Sequence, residues 1–327
     1  MRLIAVSMAS NESDVIEAFV RHNLAYLDAL VVLDHCSGDA TPEVLRKLAA
    51  EGLALTVLQD PERAYQQSPR ITYLARRFVR ELDADFCFAL DADEFLKVPS
   101  RAALEAALAG LPAGACGLAP IENYVGSAPG NQESNPLRRL TLRMRNERSV
   151  SRKVVVPREF AADETTVISF GNHAALRSRD GRLEPLPHAL LNGVSIAHFP
   201  VRSAEQVAKK ALLGWLAYSL TNPERFSRQG ASGARPVSHW QDLFQGLVAG
   251  QPIDDALVEK ALAVYVGAVA GGAMLPVRPD ELVDDPLATS AELRYARLAS
   301  PSPLGALGAW TERLVADINA GKLTPPA

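Results

Sequence analysis

Three cysteines, Cys36, Cys87 and Cys116, are all that this chain of 327 residues contains. They are odd in number and lack metal-ligand spacing, which argues against a disulfide framework or a structural zinc site and favours a reducing compartment. Long hydrophobic runs are equally scarce. No stretch approaches the roughly 20 apolar residues of a membrane span, and the most apolar segment, 261–275, is interrupted by glycine. Met1 to Ser7 has too short an apolar run for a signal peptide and reads as a first strand, so a soluble cytoplasmic protein is expected. An excess of positive charge is also missing. The formal net charge of -4 speaks against a general nucleic-acid binder, whose affinity rests on neutralising phosphates. Basic clusters at Arg138-Arg139, Arg143-Arg145-Arg148 and Lys209-Lys210 suit one anionic ligand or a solvated face. Neither G-x-G-x-x-G nor G-x-x-x-x-G-K-[ST] occurs, which removes a classical NAD site and a P-loop. The chain shows no internal repeat and no heptads.

A hydrophobic content of 48% is ample for a core, and the length points to one large domain with an appendage, or to two domains. The first hundred residues alternate strand and helix signals. Leu3 to Ser7, Ala29 to Leu33, Leu53 to Leu58 and Phe86 to Leu90 read as strands. Glu12 to Leu27, a helix opening at Thr41-Pro42-Glu43 with Thr41 as N-cap, and Ile71 to Glu81 read as helices. That alternation predicts a mostly parallel α/β sheet wound on both faces. Arg101 to Leu108 reads as a short helix. Residues 116–200 read as strands and loops, with Val154-Val155-Val156 and Val194 to Ala197 as strands. The chain then turns helical, over Glu205 to Tyr218, Leu257 to Ala270, Ala291 to Leu298 and Leu307 to Ile318.

The chemistry is concentrated in Phe86-Cys87-Phe88-Ala89-Leu90-Asp91-Ala92-Asp93-Glu94. An apolar run short enough for a buried strand ends in three acids within four positions. Unpaired carboxylates are costly to bury, so acids there need a partner or water. In open α/β sheets the carboxyl ends of strands are where ligands bind. Asp91 and Asp93 can both turn toward one hard cation, and Mg²⁺ or Mn²⁺ prefers such oxygen ligands. The segment is therefore a candidate for metal-held diphosphate chemistry. The ends of the first and second strands add Asn11, Glu12, Asp34, Ser37 and Asp39 to the same edge. Asn11 to Asp14 also has a simpler reading as a helix start, and Asp34 to Thr41 as a strand-to-helix turn.

The N-terminal layout resembles the nucleotide-sugar glycosyltransferases of the GT-A fold, in particular their family-two-like bacterial group. The matching segments are Asn11-Glu12 with Asp14 to Glu17, His22-Asn23, Leu33-Asp34 with Ser37 to Thr41, and Ala89 to Leu96. Gly126-Ser127, Lys153 to Pro157, Gly171-Asn172-His173 and His198 to Ser203 with Glu205-Gln206 and Lys209-Lys210 follow in the family's order. The likeness covers about residues 1–215, leaving 216–327 as a mainly helical C-terminal region suited to acceptor binding or dimer contacts. It implies that Asp91 and Asp93 hold Mn²⁺ or Mg²⁺, with His198 as third ligand, and that the cation bridges the donor's two phosphates. Asp91 would also lie near the ribose, Asp34 and Asp39 at ribose and base, and Asn11 and Glu12 at the nucleotide edge. Arg202 and Lys210 would face the diphosphate, and Arg76 is a further phosphate candidate. UDP is the commonest donor nucleotide. The acceptor would be a glycan, a lipid-linked glycan or a protein.

Removing the acceptor's proton calls for a carboxylate or histidine base, and Glu94, Glu122, Asp163, Glu164 and His173 all qualify. Two other classes stay open. Haloacid-dehalogenase-type phosphatases also place D-x-D after a strand, normally the first strand and with Thr or Val following. A non-catalytic glycan-binding relative would keep the fold without turnover.

Overall fold

Strand β1 (Leu3–Ala9) is buried on both faces, Leu3 and Ala5 packing to one side and Ile4 and Val6 to the other, as the two-residue period of a strand requires. The computed structural model describes residues 1–127, 131, 133–221, 238–266, 269–270, 273–274, 276–299 and 302–320. After β1 come α1 (Ile16–Asn23), β2 (Ala29–His35), α2 (Thr41–Ala50), β3 (Leu55–Asp60), α3 (Gln67–Glu81) and β4 (Phe86–Ala89). These strands pair in parallel, in the order β3-β2-β1-β4. α1 and α2 bury Ile16, Phe19, Val44, Leu45 and Leu48 on one face, and α3 buries Ile71, Leu74, Phe78 and Val79 on the other. The α/β sheet wound on both faces is present.

Beyond β4 lie β5 (Glu94–Lys97), α4 (Arg101–Ala109), β6 (Cys116–Gly126), α5 (Pro136–Arg139), β7 (Leu142–Met144), β8 (Arg152–Pro157) and α6 (Arg158–Ala161). β8 inserts antiparallel between β4 and β6. Next come β9 (Thr166–Ile168), β10 (Ala175–Arg179), β11 (Arg182–Pro185), β12 (His188–Leu190) and β13 (Ser195–His198). β10 and β11 form a hairpin whose two loop residues, Asp180 and Gly181, both have positive φ, the primed turn that matches strand twist. β13 is antiparallel to β5 and parallel to β6, and its register sets His198 opposite both Glu94 and Asn123.

The C-terminal part holds α7 (Ala204–Thr221), α8 (Ser238–Val248), α9 (Asp255–Tyr265), β14 (Val269–Ala270), β15 (Ala273–Met274), β16 (Leu282–Asp284) and α10 (Pro303–Asn319). α7, α8 and α9 share a core of Val207, Ala208, Ala211, Leu243, Leu257 and Ala261. Residue 215, where the family likeness ends, falls inside α7.

Several elements differ from the sequence reading. α1 is shorter at both ends. Asn11 takes a positive φ, and the chain before the helix is tied to the β2 loop, with Glu12 N–H donating to Thr41 Oγ1 at 2.9 Å. Thr41 is the first residue of α2 rather than its cap, and Asp39 Oδ1 accepts its N–H at 2.9 Å. α9 stops at Tyr265. The helix expected over Ala291 to Leu298 is only a 3₁₀ turn, Ala296–Leu298. Before it the chain runs as a strap across α1, where buried Glu17 accepts the N–H groups of Arg294 and Tyr295 at 2.7 and 2.8 Å.

Candidate active site

Where β1 and β4 end, their loops border a cavity of about 400 Å³. Asn11 and Glu12 line it from the β1 loop, Asp91, Asp93 and Glu94 from the β4 loop, Lys153 from β8 and His198 from β13. Lys209, Lys210, Leu213, Trp240 and Tyr265 contribute from α7, α8 and α9. Tyr65 stands edge-on to both Phe170 and Trp240, with ring centroids 5.7 Å apart in each pair, giving one wall an aromatic surface.

Two charge networks organise the acids. In the first, Asp91 Oδ2 accepts from Lys153 Nζ at 2.6 Å, and Asp91 Oδ1 accepts from Gln67 Nε2 at 2.7 Å and Asn172 Nδ2 at 3.0 Å. Glu94 Oε1 lies 2.8 Å from the same ammonium, and Oε2 accepts the Asp91 N–H at 2.9 Å. Lys153 is only 3% exposed and also donates to the Gly171 carbonyl at 2.7 Å. Burial pushes the Glu94 carboxyl up to about 8, more than Lys153 draws it down. In Lys153 the order reverses: burial favours the neutral amine, but Asp91 and Glu94 outweigh it and raise the pKa.

In the second network Asp93 Oδ2 accepts from Lys210 Nζ at 2.7 Å, with Arg202 Nη1 at 3.7 Å. Burial alone would raise this carboxyl. Lys210, His198 and Arg202 together hold it below the usual carboxylate range. His198 Nε2 lies 3.7 Å from Asp93 Oδ1, and its Nδ1 lies 2.8 Å from Asn123 Oδ1. Burial dominates for the imidazole and lowers its pKa to about 4, leaving it neutral at pH 7. The Phe199 N–H donates to the Asp93 carbonyl at 2.9 Å, binding the end of β13 to the acidic loop.

The remaining expected residues divide sharply. Arg202 is buried and latches the post-β13 segment to the β1 loop through Glu12 and through Asp14 at 2.6 Å, while its Nη1 donates to the Phe199 carbonyl of its own segment at 2.9 Å. It does not line the cavity. Asp39 is spent on Ser13, Thr41 and Lys209, the last at 2.7 Å. Asp34 is 1% exposed and also off the cavity wall, and burial pushes its pKa up to about 6, outweighing the nearby Ser37 groups that draw it down. The β2 loop beside it is covered by α10, where Arg313 donates to the Ser37 carbonyl and Gly38 meets Ala306. Arg76 binds the Glu164 and Thr166 carbonyls outside the cavity. Asp163 caps Thr165 there, and Glu164 pairs with Arg80 at 2.8 Å. Glu122 pairs with Lys97 at 2.7 Å. His173 does line the cavity, its Nδ1 2.8 Å from the Arg152 carbonyl. Gln67, Asn123 and the aromatic wall were not singled out from the sequence, and Lys153 and Asn172 stood in segments of the family likeness without a role of their own. For Lys153 the sequence also offered a lysine beside Val154-Val155-Val156, in a strand that is otherwise apolar from that point.

Among the described residues no three His, Cys, Asp or Glu side chains are gathered into a cage for an ion. Mg²⁺-like ions typically keep several waters and use one or two protein ligands with substrate phosphates. Asp93 Oδ1 and His198 Nε2, a hard oxygen and a neutral imidazole facing one cavity, fit that pattern. Asp91, held by Lys153, borders the same space.

No protein-family model matches the chain, and no curated protein matches it. Solved structures do show likeness. TarS residues 1–349 from S. aureus, in complex with UDP, is 14% identical, covering 81% of this chain and 89% of that one at a TM-score of 0.35. Mannosyltransferase PcManGT from Pyrobaculum calidifontis, in complex with GDP-Man and Mn²⁺, is 15% identical, covering 96% and 87% at 0.37. Mannose-1-phosphate geranyltransferase from Thermus thermophilus is 11% identical, covering 79% and 67% at 0.27. With TM-scores this low, the reading of the site rests on its own geometry.

Proposed function

We propose that the chain is a metal-dependent glycosyltransferase that moves a sugar from a UDP-linked donor to a hydroxyl acceptor. One observation carries the reading. The carboxylates of Asp91 and Asp93, the neutral His198 ring and the ammonium groups of Lys153 and Lys210 border a single cavity beside the ends of β1 and β4. Cation ligands beside fixed positive charges are what a departing diphosphate requires.

Asp93 and His198 would hold Mn²⁺ or Mg²⁺, which when bound neutralises charge on the leaving nucleoside diphosphate. The Lys210 ammonium, a quarter exposed beside Asp93, offers a donor to a phosphate oxygen. Asn11 and Glu12 border the nucleotide side, and Lys153 keeps Asp91 oriented. His173 is the acceptor-side base. A carbonyl only accepts, so the Nδ1 contact to the Arg152 carbonyl places the proton on Nδ1 and the lone pair on Nε2. Nε2 then takes the hydroxyl proton as the acceptor oxygen attacks the anomeric carbon. Glu94 also lines the cavity but is engaged by Lys153 and the Asp91 N–H, and Asp163 lies off the cavity wall, which favours His173 for that role.

Nucleotide release from UDP- and GDP-sugars, followed with Mn²⁺ and a panel of glycan, lipid-linked and peptide acceptors, tests the reading. One donor should turn over only with metal and a matching acceptor. His173→Gln should slow that turnover by about 10²–10⁴-fold while nucleotide binding persists. Release of phosphate from simple phosphomonoesters, with no donor turnover, would contradict it.

A further inference from the structure

An imidazole can ligate a cation through Nε2 only if that nitrogen carries the lone pair, and the partner of Nδ1 decides this. Here the partner is Asn123 Oδ1, at 2.8 Å, on the β6 residue registered opposite His198. An amide is ambiguous because it can present oxygen or nitrogen. The ambiguity is removed by Glu147, in the turn between β7 and β8. Its two carboxylate oxygens accept the Asn123 backbone N–H at 2.6 Å and the side-chain Nδ2 at 2.7 Å. A carboxylate making both contacts is a pure acceptor, so Nδ2 must face Glu147 and Oδ1 must face His198. The location is apt, because β6 pairs with β8 up to Pro120 and with β7 from Tyr124 onward. Glu147 fills the gap at Asn123 that neither ladder reaches.

We propose that Glu147 and Asn123 are positioning residues that fix the His198 tautomer, with the proton on Nδ1 and the bare Nε2 aimed at the cation seat beside Asp93. The cation part of this proposal rests on the glycosyltransferase reading. The tautomer part stands on the hydrogen-bond chain alone.

The test uses the full chain with ¹⁵N-labelled histidine. Long-range ¹H–¹⁵N correlation in the metal-free protein reads the ring tautomer, with His198→Gln identifying the signal. Wild type should show Nδ1–H. In Glu147→Gln the new amide opposes Asn123 Nδ2, Asn123 turns over, and the His198 proton moves to Nε2. The Mn²⁺ dissociation constant in the presence of UDP, read by electron paramagnetic resonance, should then rise about tenfold or more. Adding Asn123→Asp restores an acceptor toward both His198 and the amide introduced at position 147. The double variant should therefore recover the Nδ1–H tautomer and most of the Mn²⁺ affinity, a rescue that a merely structural role would not give. An unchanged tautomer in Glu147→Gln, or no recovery in the double variant, would overturn the relay. Absence of Mn²⁺ binding in wild type with UDP would overturn the glycosyltransferase reading and the cation seat, while the metal-free tautomer still decides for or against the relay.

Discussion

Lys153 is buried between Asp91 and Glu94, and its ammonium contacts both carboxyl groups. Asp91 and Asp93 stand out in the sequence because an apolar strand should not end in acids without a reason. Lys153 pairs with Asp91 from 62 positions away, and nothing in one sequence states that pairing. Breaking a buried ion cluster by removing one partner typically costs about 3–5 kcal/mol, because the opposite charges stay buried. Lys153→Met should therefore lower unfolding stability in urea by about that amount, and Asp91→Asn in the same background should recover part of it. Arg202 was readable as a basic residue near the site but not as a latch, since Glu12 and Asp14 reach it only through the fold.

Asp34 makes a separate prediction in pH. Its folded pKa, pushed up to about 6 by burial, exceeds the unfolded value, so the folded state binds more protons between the two. Stability then falls as pH rises from about 4 to about 6. Asp34→Asn has no such titration. Its stability relative to wild type should rise over that window by an amount on the order of 3 kcal/mol, as read from urea unfolding at several pH values. A constant difference across the window would mean that Asp34 is not desolvated as described.

At the scale of elements, the period-two and period-3.6 patterns located the first four strands and the helices between them, because each buries a face in one of two cores. They failed where tertiary hydrogen bonds replace helical ones. Glu17 supplies acceptors to the backbone at Arg294 and Tyr295, so that strap gains satisfied N–H groups without becoming a helix. The site loops were placed correctly at strand ends, yet α10 was not foreseen as the cover of the β2 loop. That contact depends on Gly38, where an added Cβ would lie 2.6 Å from the Ala306 carbonyl oxygen. Gly38→Ala should push α10 outward and destabilise the protein by about 1–3 kcal/mol, with hydrogen exchange rising in α10 before the central sheet. Unchanged protection in α10 would show that the helix accommodates the methyl group.

For the molecule as a whole, the family likeness ended near residue 215, but the structure carries the site past that point. α7 runs through it, and Trp240 and Tyr265 border the same cavity as Asp91 and Asp93. The acidic loop, β13 and the C-terminal helices thus act together. That explains why the acids were legible alone while the walls that shape the pocket were not. If Asp93 and His198 seat a divalent cation that holds a nucleoside diphosphate, nucleotide and metal must bind together. A ligand bound only by the folded state at about 100 times its Kd adds about 2.7 kcal/mol to stability, enough to move a thermal midpoint by a few degrees. The deciding measurement is thermal unfolding with UDP, with Mn²⁺, with both and with neither, in wild type and Asp93→Ala. A cooperative upward shift is expected only when UDP and Mn²⁺ are present together, and is expected to be absent in Asp93→Ala. An equal shift without metal, or the same shift in Asp93→Ala, would contradict that cation seat.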